Sequence, residues 1–257
     1  MYRSLLTLLV LIFVPNSYAY QRVVLLAPAA GDIFIKLNAQ DKVVGVTRSN
    51  DDFPNALKIG SHIKPNIELL KGLEPDLLVI SSNRFFSEHL SQKIAADVIK
   101  YDPTNLDDIL VEIETLGEIL DRKQQAEKLI KQMVDLRNQI KPIATAPKVV
   151  FEVTESPFII AGQLSIVQGI ISAAGGQLIA PSNRKLVKYN VESVLVENPD
   201  YYLYQVGPMN KKPTPPSQRA NFSMMKGQVI KVDQLEFSRA NTHSFELALE
   251  MNKQFIH

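Results

Sequence analysis

The feature that most constrains the fold is a pattern that occurs twice. Glu68-Leu-Leu-Lys-Gly-Leu-Glu-Pro75-Asp76-Leu-Leu-Val-Ile and Glu192-Ser-Val-Leu-Val-Glu-Asn-Pro199-Asp200-Tyr-Tyr-Leu-Tyr share one design. In each, a glutamate opens a short amphipathic helix, Pro-Asp ends it seven residues on, and an apolar strand follows. Upstream of each lies a second matching strand, Arg22-Val-Val-Leu-Leu-Ala-Pro28 and Lys148-Val-Val-Phe-Glu-Val153, β-branched and apolar as buried strands are. Strands alternating with helices imply parallel βαβ units. The repeat therefore predicts an α/β protein of two Rossmann-like lobes with mainly parallel sheets, residues 20–120 and 143–257.

Between the lobes, residues 121–142 carry Ala126, Leu129, Ile130, Met133, Val134, Leu136 and Ile140 at spacings of three and four, and no glycine. That periodicity predicts one long linking helix, after an earlier helix capped by Thr104 or Asn105 and running through Leu120. A helical link resists the bending that paired strands permit, so hinge opening is expected to be limited.

The first nineteen residues stand apart from this design. Arg3 precedes a ten-residue run at 5–14 that is apolar apart from Thr7, and Ser17-Tyr18-Ala19 has the small-x-small form of a secretory cleavage site. Ten residues of helix span about 15 Å, half of a bilayer's hydrocarbon core. The expectation is a cleaved signal peptide over 1–19 and a mature chain that begins at Tyr20 in the periplasm.

Composition removes several function classes. The chain has no cysteine, which excludes disulfide scaffolds, cysteine metal sites, thiol nucleophiles and a lipoprotein anchor. Twenty-eight basic against 27 acidic residues leaves no basic surplus of the kind nucleic-acid binding requires. Residues 20–120 are acidic on balance, which suits either a solvated face or a basic partner. No glycine-rich phosphate loop, Gly-x-Ser-x-Gly elbow or His-Glu-x-x-His helix is present.

At this point the sequence resembles a known family. Arg22-Val-Val-Leu-Leu-Ala-Pro-Ala, Asp41-Lys-Val-Val-Gly-Val-Thr47, Pro65-Asn-Ile-Glu68 and Leu73-Glu-Pro-Asp-Leu-Leu-Val79 occur in the order and spacing of the helix-linked periplasmic substrate-binding proteins of ABC importers. Ser156-Pro-Phe158, Ala173-Ala-Gly-Gly176, Val191-Glu192 and Asn198-Pro-Asp200 continue the match, which covers residues 21–255. The resemblance implies a non-enzymatic, monomeric protein without a cofactor of its own. It would capture a metal chelate in a cleft between the lobes and deliver it to a permease dimer with its ATPase. It also implies that Glu68 and Glu192 engage arginines of the permease, a role suited to bidentate carboxylate pairing. The bland reading of both is a carboxylate favoured by a helix N-terminus.

Open parallel sheets bind ligands at the loops after their strands' carboxyl ends. Those loops are 28–32, 47–53, 61–64 and 81–86 in the first lobe, and 155–158, 204–210 and 236–243 in the second. The candidate ligand contacts there are the aromatics Phe53, Phe85, Phe86, Phe158 and Tyr204, with core packing as the alternative, and the cations Arg48, Lys64, Arg84 and Arg239. His62 stands where cobalamin binders of the family carry a tryptophan. Ser61 stands where haem binders place an axial tyrosine, so the resemblance implies a corrinoid or ferric siderophore ahead of haem. Direct manganese or zinc binding by His62, His89, His243 and His257 is the rival within transport. An exported enzyme or a sensor-linked receptor on the same scaffold are the rivals outside it. The proline-rich stretch 207–221 reads as an irregular loop that either flanks the cleft or protrudes as a mobile surface excursion.

Overall fold

The computed structural model describes residues 19–84, 86, 88–222 and 225–256. The expected export signal, Phe85 and His257 lie outside the described residues. The first lobe runs β1 (Val23–Leu25), α1 (Gly31–Lys36), β2 (Val43–Val46), β3 (Leu57–Lys58), α2 (Ile67–Gly72), β4 (Leu77–Ile80), α3 (Glu88–Ser91) and β5 (Asp97–Lys100). Its five strands form one all-parallel sheet in the order β3-β2-β1-β4-β5. Helices α4 (Leu106–Ile119) and α5 (Lys123–Arg137) follow. The second lobe comprises β6 (Lys148–Thr154), β7 (Ile159–Ala161), α6 (Ile166–Ala173), β8 (Gln177–Leu178), β9 (Leu186–Lys188), α7 (Val191–Glu197), β10 (Tyr201–Val206), β11 (Gln228–Asp233), α8 (Gln234–Ser238) and α9 (His243–Ile256). Its sheet has the order β11-β10-β6-β7-β9, with β8 also on β6; β7 and β9 form an antiparallel arm on an otherwise parallel core.

The repeated pattern has a structural basis that reaches beyond the residues first noticed. Asn66 and Asn190 cap α2 and α7, their side-chain oxygens accepting the amides of Glu68 at 3.0 Å and Glu192 at 2.8 Å. Each helix ends before a residue in the left-handed region, Glu74 (φ 45°) or Asn198 (φ 47°), and proline prevents its continuation. The aspartate after each proline then fastens the lobe's first strand. Asp76 accepts the amides of Gln21 at 2.7 Å and Arg22 at 2.9 Å, and Asp200 accepts that of Lys148 at 2.7 Å. Consequently β4 pairs with β1 and β10 with β6 in the same sense.

Within 121–142 the helix is shorter than the sequence periodicity implied. Asp121 sits at φ 56°, which separates α4 from α5, and α5 stops at Arg137. The α4 cap is Asn105, whose side chain accepts the Asp108 amide at 2.9 Å. Alternate residues of the strands divide the interior into three clusters. Val24, Leu26, Leu78 and Ile80 pack under α2, and Val150, Tyr202 and Tyr204 pack under α7. The opposite faces (Val23, Leu25 and Val79 in one sheet, Val149, Phe151 and Leu203 in the other) belong to one continuous core. Leu116, Leu129, Met133, Ile170 and Phe245 join it from α4, α5, α6 and α9. The lobes are thus fused through a shared helical layer.

Candidate functional site

All five strands of the first sheet point one way, so the loops after them emerge at a single edge, and that edge faces the second lobe. Asp32, just after β1, accepts a hydrogen bond from the Thr242 hydroxyl at 2.6 Å, and Lys36 donates to the same hydroxyl oxygen. Tyr101, just after β5, donates from its buried hydroxyl to the Ala240 carbonyl at 2.6 Å. Asp102 pairs with Lys185 of the second lobe and with Lys100 at 2.9 Å.

Glu112 on α4 lies behind this junction. Burial, and then the charges of Asp108 and Asp102, push its carboxyl up to about 7 from 4.5. A carboxyl raised in the folded state binds its proton more tightly there than in the unfolded chain. Its favourable contribution is therefore complete below pH 4.5 and lost as the pH rises through 7. Glu112→Gln should be more stable than wild type at pH 8 by about 2 kcal/mol, with the advantage shrinking towards pH 5. Urea unfolding at both pH values measures this, and an advantage independent of pH would contradict it.

The candidate ligand residues divide by burial. Arg48, His62, Lys64 and Arg84 are exposed on the loops after β2, β3 and β4. Two hydrogen bonds shape these loops: the Arg48 amide donates to the Gly60 carbonyl at 2.7 Å, and the Lys64 amide to the Ser61 hydroxyl at 3.0 Å. Gly60, at φ 104°, makes the turn that presents His62. Partial desolvation lowers the His62 pKa from 6.5, which favours the neutral imidazole. Phe158 and Arg239 are half-buried in the second lobe. Phe53 and Tyr204 are not available as cleft surface. Phe53 is 3% exposed in the shared core against Gly31, and Tyr204 is 8% exposed in the layer beneath α7. Phe86 is likewise buried.

Glu68 and Glu192 are exposed, each in the first turn of its helix. The Glu68 side chain is 82% exposed and forms an ion pair with Lys71 at 3.3 Å on the same helix. Such a surface pair contributes little to stability, which leaves the carboxylate available to a partner.

The histidines do not assemble a metal centre among the described residues, where no three His, Asp or Glu side chains are placed to hold an ion. His243 instead contacts Glu246 through Nδ1 at 2.6 Å. No helix of the described residues is long and apolar enough to cross a membrane.

The stretch 207–221 is largely irregular and exposed, as expected, yet it is tied to the interior of the lobe. It contains two short helical turns, Pro216–Gln218 and Ala220–Phe222, and places Arg219 with its side chain only 10% exposed. Arg219 Nη1 and Nη2 donate to the two oxygens of Glu152 at 2.5 and 3.0 Å, and Tyr202 also donates to Glu152. Glu152 is fully buried on β6. Burial opposes charge on the guanidinium, but the hydrogen bonds and charge of Glu152 outweigh it and hold the pKa above the ordinary arginine value. Neither residue was a sequence candidate. The available signal was a single carboxylate inside the apolar run 149–153, since a buried carboxylate requires a partner.

The periplasmic binding protein family matches this sequence over residues 23–217. Among curated relatives, the high-affinity heme uptake system protein IsdE of Staphylococcus aureus is 27% identical over 172 residues, covering 63% of this chain and 59% of that protein. The alignment thus spans less than two thirds of that relative's length. The crystal structure of S. aureus IsdE complexed with heme superposes with a TM-score of 0.79 at 21% identity, covering 92% of this chain and 99% of that one. The periplasmic vitamin B12 binding protein BtuF of Vibrio cholerae superposes with a TM-score of 0.75 at 21% identity, covering 92% and 97%. With two lobes, a helical link and a match over most of its length, this chain belongs to the periplasmic binding protein family.

Proposed function

We propose that this protein captures a metal-bearing tetrapyrrole, haem or a corrinoid, between its lobes and delivers it to the permease of an ABC importer. Residues 1–19 direct export, and the mature chain works in the periplasm as a monomer without catalysing a reaction. Glu68 and Glu192 dock one lobe each on the permease. Arg48, Lys64, Arg84 and Arg239 supply cations for the ligand's anionic groups, and Phe158 supplies apolar surface. The observation that carries the reading is the first sheet's carboxyl edge, turned towards the second lobe and presenting a neutral imidazole among exposed cations. The likeness to the heme complex of IsdE and to BtuF supports it and gives haem more weight than Ser61 alone would. The same cations suit an anionic ferric siderophore, which is the second reading.

Titration with hemin, cyanocobalamin and a ferric catecholate, followed by absorbance, tests the proposal. One tetrapyrrole should bind at one per chain. His62→Ala should weaken it by about 1–3 kcal/mol, a cost typical of losing a central binding contact. If the imidazole ligates the metal, His62→Phe should not restore affinity. Binding should then weaken only below pH 6.5, where protonation competes with the metal. Binding of the catecholate alone would move the proposal to siderophores. Failure of all three would refute it, and unchanged affinity in both variants would take His62 out of the site.

A further inference from the structure

We infer that Arg219 is a positioning residue that fastens two loops of the second lobe's cleft wall together and presets that wall for its ligand. The ligand part of this inference rests on the function proposed above; the fastening does not.

The loops concerned are 155–158, after β6, and 207–222, after β10. The Arg219 guanidinium faces three partners at once. Its terminal nitrogens hold both oxygens of Glu152, while Nε donates to the Thr214 carbonyl at 2.7 Å and lies 3.5 Å from a Glu155 oxygen. The other Glu155 oxygen accepts the Thr214 amide at 2.7 Å. The Glu155 amide donates to the Asn210 side chain at 3.4 Å, and the Asn210 amide group donates to the Gln205 carbonyl at 2.9 Å. Phe222 supports the guanidinium from 5.3 Å. Tyr202 completes the set from β10, kept protonated by burial and by the charge of Glu152.

These contacts run from the buried middle of β6 outward to both loops, so neither loop can shift without breaking a bond to Arg219 or Glu155. A buried ion pair is a poor source of stability, because desolvation offsets most of the attraction, and apolar side chains of similar volume often replace one without loss. What a planar fork adds is direction, since its donors fix the position of each acceptor. The arrangement therefore serves geometry more than stability, and the geometry it fixes is that of a wall beside the proposed cleft.

Two variants test this, Arg219→Lys and the apolar double variant Glu152→Leu with Arg219→Met. The second guards against misfolding caused by an unpaired buried charge. The first measurement is amide hydrogen exchange on the ligand-free protein. Peptides covering 154–158 and 208–219 should exchange at least tenfold faster together, while those covering α2 and α4 do not change. Faster exchange at 208–219 with unchanged protection at 154–158, or no change at either, would overturn the fastening. The second measurement is affinity for hemin and cyanocobalamin. In the double variant it should fall at least tenfold for whichever tetrapyrrole the wild type binds, with the thermal midpoint preserved. Affinity within twofold of wild type, with the loops shown to be loosened, would overturn the preset wall. If the wild type binds neither probe, the proposed function has failed, and the exchange result still decides the fastening.

Discussion

Replacing Glu68 and Glu192 together with alanine is expected to leave chelate affinity within about twofold of wild type and to lower importer-dependent uptake at least ~10-fold, because truncating one side of an interfacial charge pair costs about 2–5 kcal/mol. Both carboxylates are solvent-exposed at the start of helices that match across the lobes. The Glu68 side chain is 82% exposed and pairs with Lys71 on its own helix, so folding loses little when it is removed. Each helix keeps its asparagine cap in the variant, which protects the local structure. Uptake should be measured with the binding protein well below saturation of the permease, where weakened docking shows as a lower rate. Chelate titration of the same preparation separates docking from capture. Loss of affinity in step with uptake would place the glutamates in the ligand site instead.

Gly169→Leu is expected to destabilise the protein by about 3 kcal/mol, the upper part of the range for overpacking against an unyielding neighbour. A Cβ at Gly169 on α6 would lie 2.5 Å from the Asn105 Cα and 2.5 Å from the Thr104 carbonyl oxygen, both of them backbone. That approach brings a second-lobe helix flush against the start of α4, so a side chain there must push the lobes apart. Gly72, the last residue of α2, is the control. A Cβ there meets nothing within 4 Å, and Gly72→Ala should stabilise by about 0.5 kcal/mol through helix propensity and a less flexible unfolded chain. Urea unfolding of the two variants gives both signs. A Gly169→Leu protein as stable as wild type would mean that the lobes are not joined as tightly as the shared core implies.

The parts of this fold that could be read in advance are those governed by short-range chemistry. The strands at Val23–Leu25 and Lys148–Thr154 are β-branched and apolar, and the Glu-to-Pro-Asp repeat carries its own start and stop signals. The boundary between α4 and α5 was legible from the periodicity, although no glycine or proline marks the left-handed Asp121 between them; the end of α5 at Arg137, short of Lys141, was not. The antiparallel β7–β9 arm escaped because three-residue strands are too short to show a period. Phe53 and Tyr204 looked like cleft aromatics because they lie near strand ends, yet spacing along a strand does not reveal which aromatic a helix will cover. The Glu152–Arg219 pair joins residues far apart in sequence, and only Glu152's isolation among apolar neighbours hinted at it. The loop positions and exposure of Arg48, His62, Lys64 and Arg84 were legible because a loop after a parallel strand has one edge on which to emerge.

The most direct test of the central claim is chelate uptake in host cells lacking this gene, with wild-type protein or the Glu68→Ala, Glu192→Ala variant supplied back. The account predicts that deletion abolishes high-affinity uptake of the tetrapyrrole that the purified protein binds, that wild type restores it, and that the double variant does not. Uptake in the deletion strain equal to that of the parent, at tetrapyrrole concentrations near the measured Kd, would contradict it.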